Sequence, residues 1–414
     1  MDSLRHELAR FIQSPAARHD PPGLYRKLLD SAPVLDLGRV HVVSGYEEIV
    51  TVLMHPGTMV DPSAVGLARS GSSALGSVVA RMLPLRDGSD HSRLKRLATA
   101  AFSARRLDVI KRQITDTTQQ LLTPLLASGS FDLVADLAVP LPVAVSCAIL
   151  DVPEQDRGRV TGWAGLVARS LLDPFADEAA TAALDAEFAE FRDYVEELCA
   201  QRAARPGDDL ISRLTVARAE GRIDSEDLLA FVVMLFANGL ETLTSGLAVA
   251  VWQLLQRPEL LELCRLDPES AEAVFDESQR LGSPVRASAR AVTRDVPVGG
   301  TVLPAGSVAL LLYAAANRDP RRFPDPDRFD SARAERRHLA FGHGPHHCLG
   351  APLSLMVGGT VLRTLAAAGA ERELSTPLTE ATAPWSEQFV FGGLRELPIL
   401  SPPRALAGAG VRAA

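Results

Sequence analysis

The chain is poor in cysteine and in lysine, and its most apolar uninterrupted stretch is short. Cys147, Cys199, Cys264 and Cys348 are its only cysteines, and no two form a CxxC pair. A zinc ribbon and a thioredoxin-like dithiol therefore lack support, and thiols this scattered suit a reducing cytoplasm better than a secreted disulfide framework. Lys27, Lys95 and Lys111 are the only lysines among 43 basic residues. Arginine carries the rest, which reads mainly as a compositional bias of the genome. With a net charge of −8, nothing global favours nucleic acid or an anionic membrane. The opening MDSLRHELARFIQ is amphipathic and charged and lacks the apolar centre of a signal peptide. The most apolar stretch, Leu228–Leu240, is interrupted by Asn238 and closed by Glu241, short of the roughly 20 residues a membrane span needs. A soluble, cytoplasmic protein is expected, with no nucleic-acid or membrane partner.

What is present is an ordinary globular composition, 47% hydrophobic and 23% charged over 414 residues. It excludes a mainly disordered chain, a collagen and a disulfide-dense mini-protein, and it permits a large core. Val34–Leu37 and Arg39–Val43 around Gly38 predict a hairpin, and a helix follows at Tyr46–Met54. Residues 59–88, rich in Gly, Ser, Ala and Asp, predict a long loop with at most short helices. Helical segments are predicted at 90–101, 105–127, 136–150, 156–171, 176–204 and 207–219. Asp224, Glu226 and Asp227 open a helix predicted over 225–256. It is apolar nearly all round and therefore runs through the core. After a helix at 269–281, Val285–Leu311 alternates short strands with Gly and Pro turns, and an Arg/Asp/Pro-rich meander covers 317–337. A helix is predicted at 351–368, a closing hairpin from Phe389–Phe391 and Leu397–Leu400 around Gly392–Gly393, and a frayed tail from Arg404.

The densest chemistry lies in Phe341-Gly342-His343-Gly344-Pro345-His346-His347-Cys348-Leu349-Gly350. Two glycines and a proline hold a tight loop, and Gly350 lets the backbone approach something flat. A cysteine entering a helix N-terminus has its thiolate favoured by unpaired N–H groups, which is what an anionic metal ligand needs. Three readings compete: a buried apolar thiol, a zinc site, or a haem thiolate. His343, His346, His347 and Cys348 are too crowded for four ligands to wrap one tetrahedral zinc. Asn238-Gly239-Leu240-Glu241-Thr242 places a glycine, an acid and an alcohol inside a strong helical run. Glycine there costs about 1 kcal/mol against alanine and an unpaired buried carboxylate far more, so the stretch is either a kink with a satisfied polar cluster or a functional groove. Glu277 and Arg280, at i and i+3, share one helix face; as an exposed pair they would contribute only about 0.3–0.5 kcal/mol.

The cysteine loop matches every fixed position of FGxGxHxCxG and resembles the haem-binding loop of the cytochrome P450 family. Three further stretches agree in chain order, and the likeness covers roughly residues 20–400. The resemblance implies that Cys348 is the axial ligand of haem iron, with Phe341, Gly342 and Gly350 shaping the loop. Glu277 and Arg280, joined by Arg333 from the meander, would fix the platform behind it. Gly239 would leave room in an oxygen-activation groove, where Glu241 relays protons and Thr242 hydrogen-bonds dioxygen. His91, Lys95, Arg290 and His346 would hold the haem propionates; Lys95 stands where the family has arginine and loses its bidentate fork. Three departures stand out. Asn238 replaces a small residue, Leu243 a frequent threonine, and Leu353-Ser354-Leu355-Met356-Val357 the pattern LARxE, removing an arginine and a glutamate near the expected partner face.

The implied fold is mainly α with small β-sheets (α+β). It is a helix-rich single haem-thiolate domain over 1–403, with haem b buried between the long central helix and the cysteine loop, followed by a tail at 404–414. The implied activity inserts one atom of O2 into an organic substrate and reduces the other to water, the thiolate favouring O–O cleavage. Neither a GxGxxG fingerprint nor a fused reductase, flavin or NAD domain is present. Electrons are therefore expected from a ferredoxin or flavodoxin and its reductase, docking on a monomer near Arg93, Lys95, Arg96, Arg105, Arg106, Arg336 and Arg337. Substrate contacts are expected from the 59–88 and 165–180 regions and from Met82, Leu83, Leu235, Asn238, Val285, Arg286, Phe389 and Val390. That lining suits a hydrophobic or amphipathic small molecule of secondary metabolism, with Arg286 expected to pair an acidic substrate group. A peroxide-driven peroxygenase and a non-catalytic haem-binding protein are the alternatives. The intact Glu241–Thr242 pair argues against the first and the apolar lining against the second.

Overall fold

The computed structural model describes residues 2–14, 21–60, 73–100, 104–166, 178–207 and 209–404; at 100, 104–107, 164, 178, 180, 237 and 238 it describes the backbone alone. The chain opens with α1 (Asp2–Gln13), α2 (Pro21–Ser31), β1 (Val34–Asp36), β2 (Val40–Val43), α3 (Tyr46–Met54), β3 (Thr58–Met59) and α4 (Ala74–Ala80). Next come α5 (Gly88–Ala100), α6 (Ala104–Ser128), β4 (Ser130–Asp132), α7 (Pro140–Ile149), α8 (Arg157–Ala164), α9 (Glu178–Ala204), α10 (Leu210–Ala219) and α11 (Ser225–Gln256). The rest is α12 (Pro258–Leu266), α13 (Ser270–Gly282), β5 (Ser288–Val292), β6 (Val296–Val298), β7 (Thr301–Leu303), β8 (Val308–Leu311), α14 (Tyr313–Ala316), α15 (Ala351–Ala368) and β9 (Pro398–Leu400).

The long helix α11 organises the core. The Asp224 side chain caps it by accepting from the Asp227 N–H at 2.7 Å. Its 32 residues run about 48 Å. Leu228–Phe236 pack into one apolar cluster with α4, α5, α9 and α10. Leu243–Leu254 pack into a second with α6, α7, α12, α13 and α15. Residues 237–242 fall between the two clusters, and it is there that the helix borders open space. Helices α11 and α15 are long and apolar enough to cross a membrane by length and composition, yet at least half of each apolar window is buried inside the protein.

Strands form a sheet in the order β1-β2-β8-β5-β3, with β2 and β8 parallel and the other pairs antiparallel. This sheet carries Arg290 on β5, opposite Ala309. The hairpin β6–β7 turns through Gly299 and Gly300 at φ of 56° and 77°, the left-handed values a two-residue hairpin turn requires. Behind the cysteine loop, α13 and α15 approach so closely that a Cβ on Gly358 would run into the Phe275 ring.

Several expectations need correction. The closing hairpin does not form. β9 pairs instead with β4, Ile399 opposite Phe131, while Phe391 bridges Val285. The Gly392–Gly393 pair looks like a turn in sequence, but a strand 270 positions away supplies a better edge. The 59–88 region holds β3, α4 and a turn of helix at Leu83–Leu85, with 61–72 outside the described residues. Of the segment 165–180, residues 167–177 lie outside them too. Helix α12 was not anticipated: Pro258 ends α11 and also starts α12, because a proline at the first helical position loses no bond. Arg404 is not frayed, its N–H donating to the Glu371 carbonyl at 2.8 Å; 405–414 lie outside the described residues.

Candidate active site

Helix α13 carries Glu277 and Arg280, both buried. The Arg280 guanidinium forks onto the Glu277 carboxylate with two bonds of 2.8 Å. It also donates to the carbonyls of Asn317 (2.7 Å) and Pro326 (2.8 Å). Arg333 adds a weaker contact to Glu277 at 3.5 Å and donates to the Arg328 carbonyl at 3.0 Å. These bonds fix the meander. From there Asn317 Oδ1 accepts from the Leu339 N–H at 2.6 Å, and Leu339 leads into the cysteine loop.

The loop turns at Gly342 and Gly344, with φ of 69° and 67°, values that few side-chain-bearing residues adopt. The Cys348 N–H closes it onto the Phe341 carbonyl at 2.8 Å. Cys348 is open to a cavity rather than packed. Burial pushes its thiol pKa up, while the N–H groups of Gly350 and Ala351 and the Lys95 charge pull the other way. Burial prevails and the net shift is upward; the two N–H groups at the start of α15 and Lys95 are what oppose it.

The cavity has a volume of about 450 Å³ and is mostly apolar. One wall is Phe341, Gly342, Cys348 and Gly350; the opposite wall is Leu235, Gly239, Thr242 and Leu243 of α11. A Cβ placed on Gly239 would meet nothing within 4 Å. Its basic side is formed by His91, Lys95, Arg290 and His346. Lys95 donates to the carbonyls of Pro345 and His347. His346 pairs with Asp87 at 2.8 Å, and its ring lies 4.2 Å from that of His91. Burial, His346 and Lys95 together lower the His91 pKa to about 4. Arg290 is buried and pairs with no carboxylate among the described residues; it donates to the Ala289 carbonyl at 2.8 Å.

Of the expected substrate contacts, Leu83, Leu235 and Val285 line the cavity. Met82 is buried in the neighbouring apolar cluster instead. Phe389 packs edge-on against Phe11, 6.1 Å between centroids, and Val390 is 40% exposed. Arg286 is held by the carbonyls of Ser386 (3.2 Å) and Gln388 (3.1 Å), a tie between two irregular segments and not a cavity charge. The Asn238 side chain lies outside the described residues. Glu241 does not line this cavity either; it faces a separate cleft. Val357 is fully buried among apolar neighbours, so the glutamate missing from LARxE is a change in the core and not on a partner face. The docking patch is thinner than expected. Arg93 is engaged by Asp90 and Asp227, and the side chains of Arg105 and Arg106 lie outside the described residues. Reading the sequence missed the α7 wall, where Pro142, Val145 and Ile149 line the cavity; their i, i+3, i+7 spacing on one apolar helix face was the available signal.

The family profile described as Cytochrome P450 matches residues 175–365. The 6-deoxyerythronolide B hydroxylase of Saccharopolyspora erythraea is 31% identical over 394 residues, covering 91% of this chain and 94% of that protein. The chain belongs to the cytochrome P450 family. Mycinamicin IV hydroxylase/epoxidase of Micromonospora griseorubida is 34% identical over 388 residues, covering 91% of this chain and 95% of its own. The crystal structure of CalO2 shares the fold at a TM-score of 0.86 and 31% identity, covering 94% of this chain and 97% of that one. The protein is thus a P450 monooxygenase with the family's helix-rich fold and haem iron cofactor. The residues present suit that group: a thiol facing the cavity, a clear space over Gly239, and cationic groups at one side to receive two carboxylates.

Proposed function

We propose that this P450 inserts one atom of O2 into an apolar or amphipathic small molecule of secondary metabolism, using non-covalent haem b and electrons from a separate ferredoxin and its reductase. The observation that carries the reading is the single cavity with Cys348 in one wall and Thr242 in the other, lined chiefly by apolar side chains. When bound, haem iron supplies the activation of dioxygen. The chain's own residues do the rest. Cys348 holds the metal as its thiolate, and Lys95, Arg290, His91 and His346 receive the propionates. Thr242 places a hydroxyl beside the reacting atoms, and Glu241, next to it in the helix, holds the proton to be delivered. Leu83, Val145, Ile149, Leu235, Leu243 and Val285 exclude water and orient an apolar substrate.

The scattered cysteines offer no paired thiols for thioether attachment, which supports haem b. The exposed Arg96, Arg336 and Arg337 would steer an acidic electron carrier in a salt-dependent way. Related hydroxylases named for 6-deoxyerythronolide B and mycinamicin IV support a secondary-metabolite substrate. A monomer in the cytoplasm fits this reading.

The test is spectroscopic and then chemical. Reduced protein with carbon monoxide is expected to show the long-wavelength thiolate band, and Cys348→Ser to lose it. Product should form with O2, ferredoxin, reductase and a ligand that shifts the Soret band. Equal turnover with peroxide alone would favour a peroxygenase. A Soret-shifting ligand set that never turns over would favour a binding protein.

A further inference from the structure

Successive residues on an α-helix point about 100° apart, so neighbours such as Glu241 and Thr242 can border different spaces. The structure separates them accordingly. Leu235, Gly239, Thr242 and Leu243 border the haem cavity, whereas Leu240, Glu241, Thr244 and Ser245 border a second cleft of about 690 Å³. Its far wall is the segment 386–395, with Val134 and Val139 closing one side. The charged groups that share the cleft with Glu241 are Glu387 and Arg395, both exposed, and the 134–139 turn contributes only the two valines. Gln388 also lines it, and its Oε1 is buried with no hydrogen-bond partner among the described residues. Arg286 pins this segment through the carbonyls of Ser386 and Gln388. Burial alone raises the Glu241 pKa. Helix α15 brings no acid there at 357, since Val357 is buried in the apolar cluster it shares with α11.

We propose that protons reach Glu241 from this cleft, on the side of α11 away from the haem cavity, with Gln388 Oε1 holding water on the route and Glu387 at its mouth. This rests on the reading of Glu241 and Thr242 as the proton-handling pair. Glu241 gives its proton toward the Thr242 side of the helix, and the carboxylate left behind is reprotonated by water drawn from the cleft. Each turnover takes two protons from bulk solvent to the oxygen atom that leaves as water; the two electrons come from the external reductant.

The test uses the haem-loaded protein and the variants Glu241→Gln, Gln388→Leu, Gln388→Glu and Glu387→Gln, each checked for an unchanged carbon monoxide spectrum. The infrared band of the Glu241 carboxyl, assigned by its loss in Glu241→Gln, is titrated with pH. Gln388→Leu should move its midpoint up by removing a polar neighbour, and Glu387→Gln should move it down by removing a negative one. Glu241→Gln should lower product formation by about 10²-fold. Gln388→Leu should lower it less, with a larger solvent isotope effect and a shifted pH profile, and Gln388→Glu, which keeps the acceptor, should restore both. If Glu241→Gln slows turnover while neither position 387 nor 388 moves the midpoint or the isotope effect, the intake route is wrong and the proton-handling pair stands. If Glu241→Gln itself changes nothing, both fall.

Discussion

Two acid–arginine clusters bracket the site, and they are built differently. Below the cysteine loop, Glu277 holds Arg280 and Arg333, and the spare guanidinium hydrogens go to main-chain carbonyls of the meander. Arg280 is completely buried. Above the cavity, Asp227 is 5% exposed and accepts from Arg81 at 2.8 Å, Arg86 at 3.0 Å and Arg93 at 3.3 Å, whose side chains are 23–36% exposed. There the remaining hydrogens go mostly to the carboxylates of Asp90 and Asp224. The first cluster shapes a loop by satisfying its carbonyls. The second clamps the segment 81–93 to the start of α11, and that segment delivers Leu83, His91 and, one turn on, Lys95 to the cavity. Similar ion pairs thus serve as scaffold in one place and as clamp in the other.

The sharpest way to break this comparison is Arg280→Ala. It leaves the Glu277 carboxylate buried with only the Asp330 N–H at 3.0 Å and the 3.5 Å contact from Arg333, and it takes the Arg280 donor away from the carbonyls of Asn317 and Pro326. Removing one partner of a buried pair costs about 3–5 kcal/mol. We expect little haem-loaded soluble protein, read by the Soret-to-protein absorbance ratio and a thermal melt. Arg280→Lys should not rescue it, since an ammonium cannot make the fork. A variant that loads haem normally and melts within a few degrees of the parent would remove the scaffold role.

Asp227→Asn should do less. The three arginines are open enough for water to solvate them, so the loss is about 1 kcal/mol. Because the clamp is part-exposed, raising salt to about 1 M should narrow the gap between parent and variant, whereas the deficit of Arg280→Ala should stay. Ligand affinity should weaken in Asp227→Asn through Leu83 and α5, measured by Soret titration. A salt-independent gap would make Asp227 a second scaffold residue.

The two clusters also show what was legible in the sequence and why. Glu277 and Arg280 are one turn apart on one helix, so their pairing follows from spacing, and the cysteine loop is dense enough in special residues to be recognised alone. Asp227 was legible only as a negative charge in the first turn of α11. Its partners lie 134 to 146 positions away on other elements, and no local pattern marks them. The same distinction explains the pocket. Which residues are apolar was plain, but Met82 and Phe389 turn into neighbouring clusters while Val145 and Ile149 turn to the cavity, a choice made by helix packing. Glu241 and Thr242 were read as a unit because they adjoin in sequence; the helix puts them on different faces.

The smallest expected effect separates the clusters by acid. The Arg93 hydrogen bond, acting against burial, holds the Asp90 carboxyl below its usual range. Burial pushes Asp224 up, but the Asp227 N–H and Arg81 outweigh it and the net shift is again downward. A carboxylate whose folded pKa is depressed contributes stability that is present above its unfolded value of about 3.9 and is lost as pH falls through the lower folded value. The clamp should therefore weaken only below about pH 4, and modestly, because Asp90 and Asp224 are 36% and 59% exposed and screened by water. Melts taken at descending pH should show a steeper acid limb for the parent than for the Asp90→Asn/Asp224→Asn double variant, the two curves converging at the acid end. Parallel limbs would mean that the arginines hold the segment by packing their stems, and that charge pairing above the cavity adds nothing the apolar contacts do not already supply.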